Sequence, residues 1–322
     1  MTKNLIFITP DENGGVKDHT TKLANILKDR NKIEIIKIKK GVNNIKKKKY
    51  VKSDIIILQY SGYGYSNRGA PYWLLKEIIY LKKKVNKIII IFHELYMVSY
   101  YPWRTAFWTQ FLQKFIFKKL LKVSDYSFIS TKKYFEKLSI EKKIFYLPSF
   151  SNIGEMLKLN HKRENIIVVF GMRETRINTY KEFNNKLFIW AKKNEIKIID
   201  IGPEILNDEI KKKLIVNDVE ILGPLLEDQI YKIFKKTKYG LLSYNLDYID
   251  KSGVFNAYAA HGIMPILSDK KSEGFIIKEN YHYLSSLPKS INKNNSISKN
   301  IFNWYQKHNI LKSSNKINSL VK

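Results

Sequence analysis

The side chains able to do chemistry in this chain stand at the ends of apolar runs. After the run 165–170 comes Gly171-Met-Arg-Glu-Thr-Arg-Ile-Asn-Thr-Tyr-Lys181, which places Arg173, Arg176 and Lys181 within one strand-to-helix turn. Guanidinium and ammonium groups at such a turn suit a diphosphate, Arg through its fork of donors and Lys as a point charge. A second anion signal lies in Lys251-Ser-Gly-Val-Phe-Asn-Ala-Tyr-Ala-Ala-His-Gly262. Val254, Ala257, Tyr258 and His261 recur at helical spacing, Ser252 is placed to cap the helix start, and Gly262 to close its end. The run ending at Tyr244 reads as the strand before it. A helix start beside a strand end offers N–H groups and partial positive charge to an anion, of which phosphate is the natural example.

Three further groups lie in the first half of the chain. Lys87-Ile-Ile-Ile-Ile-Phe92 is the most apolar run and delivers His93 and Glu94 to its end, a candidate catalytic pair. Gly14 and Gly15, with Asp18, follow the first apolar run and let backbone approach a ligand closely. The loop 61–71 combines Tyr63 and Arg68 with further Gly and Tyr, a composition suited to a sugar, whose C–H faces pack on rings while its hydroxyls seek polar groups. Arg104 sits among Tyr100, Tyr101, Trp103, Phe107 and Trp108, as a membrane-surface contact, an acceptor contact or a packed lid. Each group also has a plain structural alternative: a crossover, a tight turn or a core histidine.

The elements that would position these residues alternate strand and helix. Runs at 4–9, 33–39, 54–60, 87–92, 127–130 and 143–147 read as one set of strands. Runs at 165–170, 197–201, 219–222, 239–244 and 264–267 read as a second. Strand, loop, helix, strand is the unit of a parallel sheet, where ligands sit beyond the C-terminal strand ends. An amphipathic basic helix is expected over 111–123, and 301–308 reads as a final helix. The polar stretch 148–164, with His161, reads as an interdomain linker, Lys46 to Lys49 as a solvated loop, and 312–322 as a frayed tail.

Composition excludes several classes. Without cysteine, neither disulfides nor thiolate metal sites are available. The first apolar run is too short for a signal peptide, and no run reaches the ~20 apolar residues of a membrane helix. These features point to a cytoplasmic protein. The net charge of +29 favours polyanionic partners, yet the lysines are dispersed over the whole length and no helix-turn-helix or RNP-type signature accompanies them. No nucleic-acid partner is therefore expected. No G-x-G-x-x-G follows the first strand, so a dinucleotide cofactor is not supported.

In order and spacing, several motifs resemble those of family-four GT-B glycosyltransferases, the nucleotide-sugar-dependent enzymes of bacterial surface-polysaccharide assembly. Gly14-Gly-Val-Lys-Asp-His-Thr20 is similar to the family's G-G-V-x-D-x-T loop. Gly62-Tyr-Gly-Tyr65 with Arg68-Gly69 and Pro71-Tyr-Trp-Leu74, and Phe92-His-Glu-Leu-Tyr96 with Pro102-Trp-Arg-Thr-Ala-Phe-Trp108, resemble segments of one subgroup. Leu222-Gly-Pro-Leu-Leu-Glu-Asp-Gln-Ile230 looks like the segment before the donor site, and Lys251–Gly262 like the donor-side helix. The family's usual E-x7-E is missing: its second Glu falls near Ala257 and its first near Ile249 or Asp250. The nearest match to its R-x4-K pair is Arg176 and Lys181, with Arg173 a competitor.

The resemblance implies an α/β protein of GT-B architecture, two Rossmann-like domains facing across a cleft, with a C-terminal helix returning toward the first. The domains would be 1–155 on the acceptor side and 156–310 on the donor side, followed by a polar tail 311–322. It implies a retaining transfer from a nucleoside-diphosphate sugar to a glycan or lipid-linked saccharide, with peripheral contact at the inner face of an anionic membrane. Donor binding would fall to Gly171, Arg173, Arg176, Lys181, Tyr244, Lys251, Ser252, Gly253 and Val254. His93 and Glu94 would serve the reacting sugar, and Gly14, Gly15, Asp18, Tyr63, Arg68 and Arg104 the acceptor or phosphate loop. No D-x-D is present, since Asp247-Tyr-Ile-Asp250 has the wrong spacing, so no metal cofactor is expected. The alternatives are a nucleotide-sugar epimerase or a non-catalytic partner subunit on the same fold, or a basic nucleic-acid-binding protein.

Overall fold

The computed structural model describes residues 2–12, 14–42, 45, 48–97, 100–138, 143–159, 162–268, 276–289 and 296–321. Asn13 of the Gly-Gly loop, Lys46 and Lys47 of the basic run, Val98 and Ser99 of the aromatic segment, and His161 lie outside them. The chain divides into two units, Met1–Pro148 with Ile310–Lys322, and Ser149–Asn309.

The first unit runs β1 (Lys3–Pro10), α1 (Gly15–Leu27), β2 (Asn31–Ile38), β3 (Asp54–Tyr60), α2 (Gly62–Tyr65), α3 (Tyr72–Lys82), β4 (Lys87–Phe92), α4 (Thr105–Val123), β5 (Tyr126–Ile129), α5 (Lys132–Leu138) and β6 (Ile144–Tyr146). The strands form one parallel sheet in the order β2-β1-β3-β4-β5-β6. β3 is buried at every position and β4 at all but its first, as a continuous β-branched run requires when helices cover both faces. The Gly-Tyr stretch after β3 is a short helix rather than a loop. Tyr65 anchors it by donating to the carbonyl of Ile8 or Gln59, at 3.2 and 3.0 Å. The basic helix starts at Thr105, earlier than expected.

The second unit begins at Ser149, not after residue 155. Its elements are β7 (Glu164–Phe170), α6 (Arg173–Lys193), β8 (Lys197–Ile201), α7 (Asp208–Val216), β9 (Glu220–Gly223), α8 (Glu227–Lys236), β10 (Thr237–Ser243), α9 (Gly253–Ala260), β11 (Met264–Ser268) and α10 (Ser296–Tyr305). The parallel sheet order is β11-β10-β7-β8-β9. Tyr258 of α9 packs against Gly240, where a Cβ would collide with its ring, and its hydroxyl reaches the carbonyls of Val168 and Leu241. The segment read as a linker belongs to this unit. Phe150, Ser151, Ile153 and Met156 are buried, and backbone bonds run from Ser149 to Asp250 and from Met156 to Ala260.

The expected frayed tail is a helix, α11 (Ile310–Val321), with Ser313, Ser314, Ile317 and Val321 buried. It packs in the first unit beside α1, where Asn31 donates to Asn318 at 3.0 Å, and Lys87 and Lys316 bond to Leu320 and Tyr146. The C-terminal helix thus returns to the first unit.

Candidate functional site

Two rims of parallel strand ends, one in each unit, hold most of the residues singled out by sequence.

In the second unit, Gly171 follows β7 at φ +132°, a backbone conformation that favours glycine. A Cβ there would lie 3.0 Å from Val254 Cγ2, so the β7 turn and the start of α9 are in direct apposition. Ser252 caps α9 as expected, its hydroxyl accepting from Phe255 N–H at 3.2 Å, and Gly262 closes the segment at φ +61°. The first N–H groups of any helix lack an i−4 carbonyl. With Phe255 served by Ser252 Oγ and Asn256 N–H by the Ser252 carbonyl at 2.9 Å, Gly253 and Val254 are the two donors of this turn without a partner among the described residues. Asn256 holds this turn from below, donating to the carbonyls of Asp250 and Ser252. Lys251 lies beside it with its ammonium over the Tyr248 ring, and Tyr244, half-buried, follows directly after β10. The structure therefore brings Gly171, Ser252, Gly253 and Val254 together.

Two of the expected clamp residues do not join them. Arg176 is buried, and its guanidinium is committed to the Asp200 carboxylate and the carbonyls of Gly171 and Pro203. Tyr180 donates to the other carboxylate oxygen at 2.9 Å. Burial pushes the Asp200 carboxyl up against the pull of Arg176 and Tyr180. Arg176 thus shapes the Gly171 turn from inside. Lys181 lies two helical turns beyond Arg173, about 12 Å along α6 at 1.5 Å per residue, and lines a cavity of about 130 Å³ with Tyr180, Asn184, Phe188, Glu209, Ile210 and Lys213. Of the three cations, only Arg173 stays at the rim, half-buried and donating to the Glu204 carbonyl at 2.6 Å. Ala257, where the resemblance places a ribose-binding Glu, is fully buried inside α9.

In the first unit, His93 continues β4 and its N–H bonds to the Tyr60 carbonyl at 3.0 Å. His93 Nε2 lies 2.7 Å from Gln59 Oε1, and the His93 ring meets the buried His19 ring edge-on with centroids 4.8 Å apart. Burial holds the His19 imidazole well below its ordinary range, with His93 pushing the same way and the Gln59 hydrogen bond opposing. Glu94 is exposed and accepts from Ser61 Oγ at 3.1 Å. Gly14, at φ +155°, opens α1 with no side-chain cap, and a Cβ there would meet nothing. Asp18 is exposed in the first turn of α1, one residue before His19. Tyr63 and Arg68 gather on Gln113 of α4, whose amide donates to the Arg68 carbonyl at 3.0 Å and reaches the Tyr63 hydroxyl at 3.4 Å. Arg104 stands apart, over the Tyr101 ring at the start of α4.

Sequence reasoning did not select Gln59 or His19. The signal for Gln59 was a single amide near the end of the apolar run Asp54-Ile-Ile-Ile-Leu-Gln-Tyr60. Among the described residues no group of three or more His, Asp or Glu side chains could hold a metal ion, and no helix is long and apolar enough to cross a membrane.

No protein-family model matches the chain, and no curated protein matches it in sequence. Solved structures do resemble it. HepE (Alr3699) of Anabaena in complex with UDP and glucose superposes at a TM-score of 0.62 and 8% identity, over 100% of this chain and 99% of that one. An alpha-glucosyltransferase, AGT, in complex with UDP gives 0.61 and 10% identity, over 100% of both chains. AviGT4, a glycosyltransferase involved in avilamycin A biosynthesis, gives 0.58 and 8% identity, over 99% and 97%. With two parallel Rossmann-like sheets and a C-terminal helix that rejoins the first unit, this chain has the GT-B fold.

Proposed function

We propose that the chain is a glycosyltransferase that takes a sugar from a UDP-sugar donor to a glycan or lipid-linked saccharide, with retention at the anomeric carbon, in surface-polysaccharide assembly. One observation carries the reading: the start of α9, with two unused N–H donors, is pressed against the β7 turn at Gly171 on the C-terminal rim of a parallel sheet. That is where an open α/β sheet takes a phosphate. Structural neighbours of the same fold hold UDP, which supports a uridine nucleotide as the guest.

The chemical difficulty is the departing diphosphate. In this reading the helix start at Gly253 and Val254, with Arg173 and Lys251, stabilises the growing charge without a divalent ion. Fixed donors of this kind cost no reorganisation as the bond breaks, and each is worth about 3 kcal/mol of barrier. On the first unit, His93 is the polar contact for the reacting sugar. The 2.7 Å contact between its Nε2 and Gln59 Oε1 fixes the orientation of the ring at the end of β4. Tyr63, Arg68 and the Gly14-Gly15 turn serve the acceptor side, and Glu94 accepts a hydrogen bond from Ser61, two residues before Tyr63.

The test is UDP release from a panel of UDP-hexoses, with and without saccharide acceptors, in chelator. Release that needs an acceptor and survives chelation is the expected result. Conversion of donor to another sugar nucleotide without acceptor would identify an epimerase instead, and loss of turnover in chelator, restored by magnesium, would refute the metal-free mechanism.

A further inference from the structure

Between α6 and α7 the second unit holds a cavity of about 130 Å³ that sugar transfer leaves without a use. Its floor is apolar. Tyr180, Phe188 and Ile210 are buried there, and the two rings lie nearly parallel with centroids 6.5 Å apart. Its mouth is polar and open to solvent, with Lys181, Asn184 and Glu209 exposed and Lys213 half-buried. The mouth carries two ammonium groups and one carboxylate, and Lys213 already pairs with that carboxylate at 2.8 Å. The hydrogen bond and charge of Lys213, with Lys181 adding to them, hold the Glu209 carboxyl below its usual range. Lys181 itself makes no hydrogen bond or ion pair among the described residues.

The backbone at this mouth is strained. α6 is interrupted at Asn184, whose φ of +42° and ψ of −142° favour glycine. Strain of this kind in a residue with a side chain persists only where the surroundings hold it, and it gathers at ligand sites. Asn184 Oδ1 accepts from Lys213 at 3.2 Å, which leaves the amide nitrogen as a donor. The floor is also joined to the Gly171 turn by three hydrogen bonds. Tyr180 donates to Asp200 at 2.9 Å, Arg176 donates to Asp200, and Arg176 donates to the Gly171 carbonyl at 3.0 Å.

We propose that this cavity binds a small aliphatic carboxylate, and that the bound carboxylate steadies the Gly171 turn through Tyr180. The ammonium and amide donors at the mouth suit carboxylate oxygens as charge-assisted hydrogen bonds, while the rings and Ile210 take an apolar tail. Inorganic phosphate matches the mouth alone. A dry cavity of roughly 150 Å³ accommodates benzene, so the ligand here is limited to about six non-hydrogen atoms. The binding stands without the sugar-transfer reading; the coupling rests on a diphosphate lying at the start of α9.

The probe is butyrate, titrated into the full chain against chloride at equal ionic strength and followed by the broadening of its proton resonances. Saturable binding is expected, with phosphate weaker and n-butylammonium not bound. Lys181→Ala removes the unpaired ammonium and lowers butyrate affinity roughly tenfold. Asn184→Gly relieves the backbone and removes the amide donor, so it raises the midpoint of thermal unfolding while weakening butyrate. UDP affinity, measured by calorimetry, rises roughly fivefold in saturating butyrate, and Lys181→Ala loses this gain at the same butyrate concentration. No saturable binding of butyrate, equal or tighter binding of phosphate or n-butylammonium, or unchanged butyrate affinity in both variants would overturn the site. UDP affinity indifferent to butyrate would overturn the coupling. A chain that binds butyrate but no UDP would overturn the diphosphate reading and leave the carboxylate site standing.

Discussion

The guanidinium of Arg176 and the carboxylate of Asp200 form an ion pair inside the second unit, with 1% and 0% of their side chains exposed. Arg176 also donates to the carbonyl of Gly171, so the pair supports the turn that meets the start of α9. A buried pair of this kind is costly to break on one side, because the remaining charge is stranded.

Arg176→Met is therefore expected to destabilise the fold by about 3–5 kcal/mol, and Arg176→Met combined with Asp200→Leu to recover a large part of that loss. Urea unfolding of the three proteins measures it. An Arg176→Met protein as stable as wild type, failing only in UDP binding, would return Arg176 to the role of a ligand clamp.

Gln59 stands between two imidazoles, its carbonyl oxygen 2.7 Å from His93 Nε2 and its hydrogen bond to His19 partly offsetting the effect of burial. Gln59→Glu replaces that oxygen with a charged one, which favours the imidazolium form. The ring resonances of His19 are expected to titrate at higher pH in the variant than in wild type. Unchanged titration would show that the amide does not couple to the rings.

Burial lowers His19 well below its ordinary value and brings His261 down to about 4. In both, the unfolded chain binds a proton that the folded chain refuses. Their contribution is fully present above about pH 6.5 and is lost as the pH falls through the window down toward the folded values. His261→Gln, which keeps a donor for the Ala257 carbonyl, is expected to reduce the slope of unfolding free energy against pH in that window by about 1.4 kcal/mol per unit. An unaltered slope would contradict the assignment.

How much of this was legible in the chain follows from which signals are local. Both sheets, the cap at Ser252 and the closing Gly262 could be read because β-branched runs and capping residues act within a few positions. The clamp was misread because Arg176 was treated as a charge near a turn. It shares helical spacing with Tyr180, Phe183 and Leu187, all buried, and so belongs to the inner face of α6. The tail was misread because its inner face includes Ser313 and Ser314 beside Ile317 and Val321, and small polar residues hide an amphipathic pattern. Gln59 and His19 become a pair with His93 only through the alignment of β3, β4 and α1, which no single stretch encodes.

The central claim is that the start of α9 receives the diphosphate of a uridine nucleotide. Gly253→Pro tests it with little disturbance. Proline is well suited to the first helical position, and Ser252 already has the extended conformation that a following proline requires. The substitution removes one N–H donor. A hydrogen bond to a charged group is worth about 1.5–3 kcal/mol, so UDP affinity should fall by roughly tenfold or more. Calorimetric titration of UDP into both proteins is the decisive measurement. Saturable binding to the unaltered chain, weakened to that extent in Gly253→Pro at unchanged thermal stability, is the predicted result; no binding of UDP to the unaltered chain, or equal affinity in the variant, would contradict it.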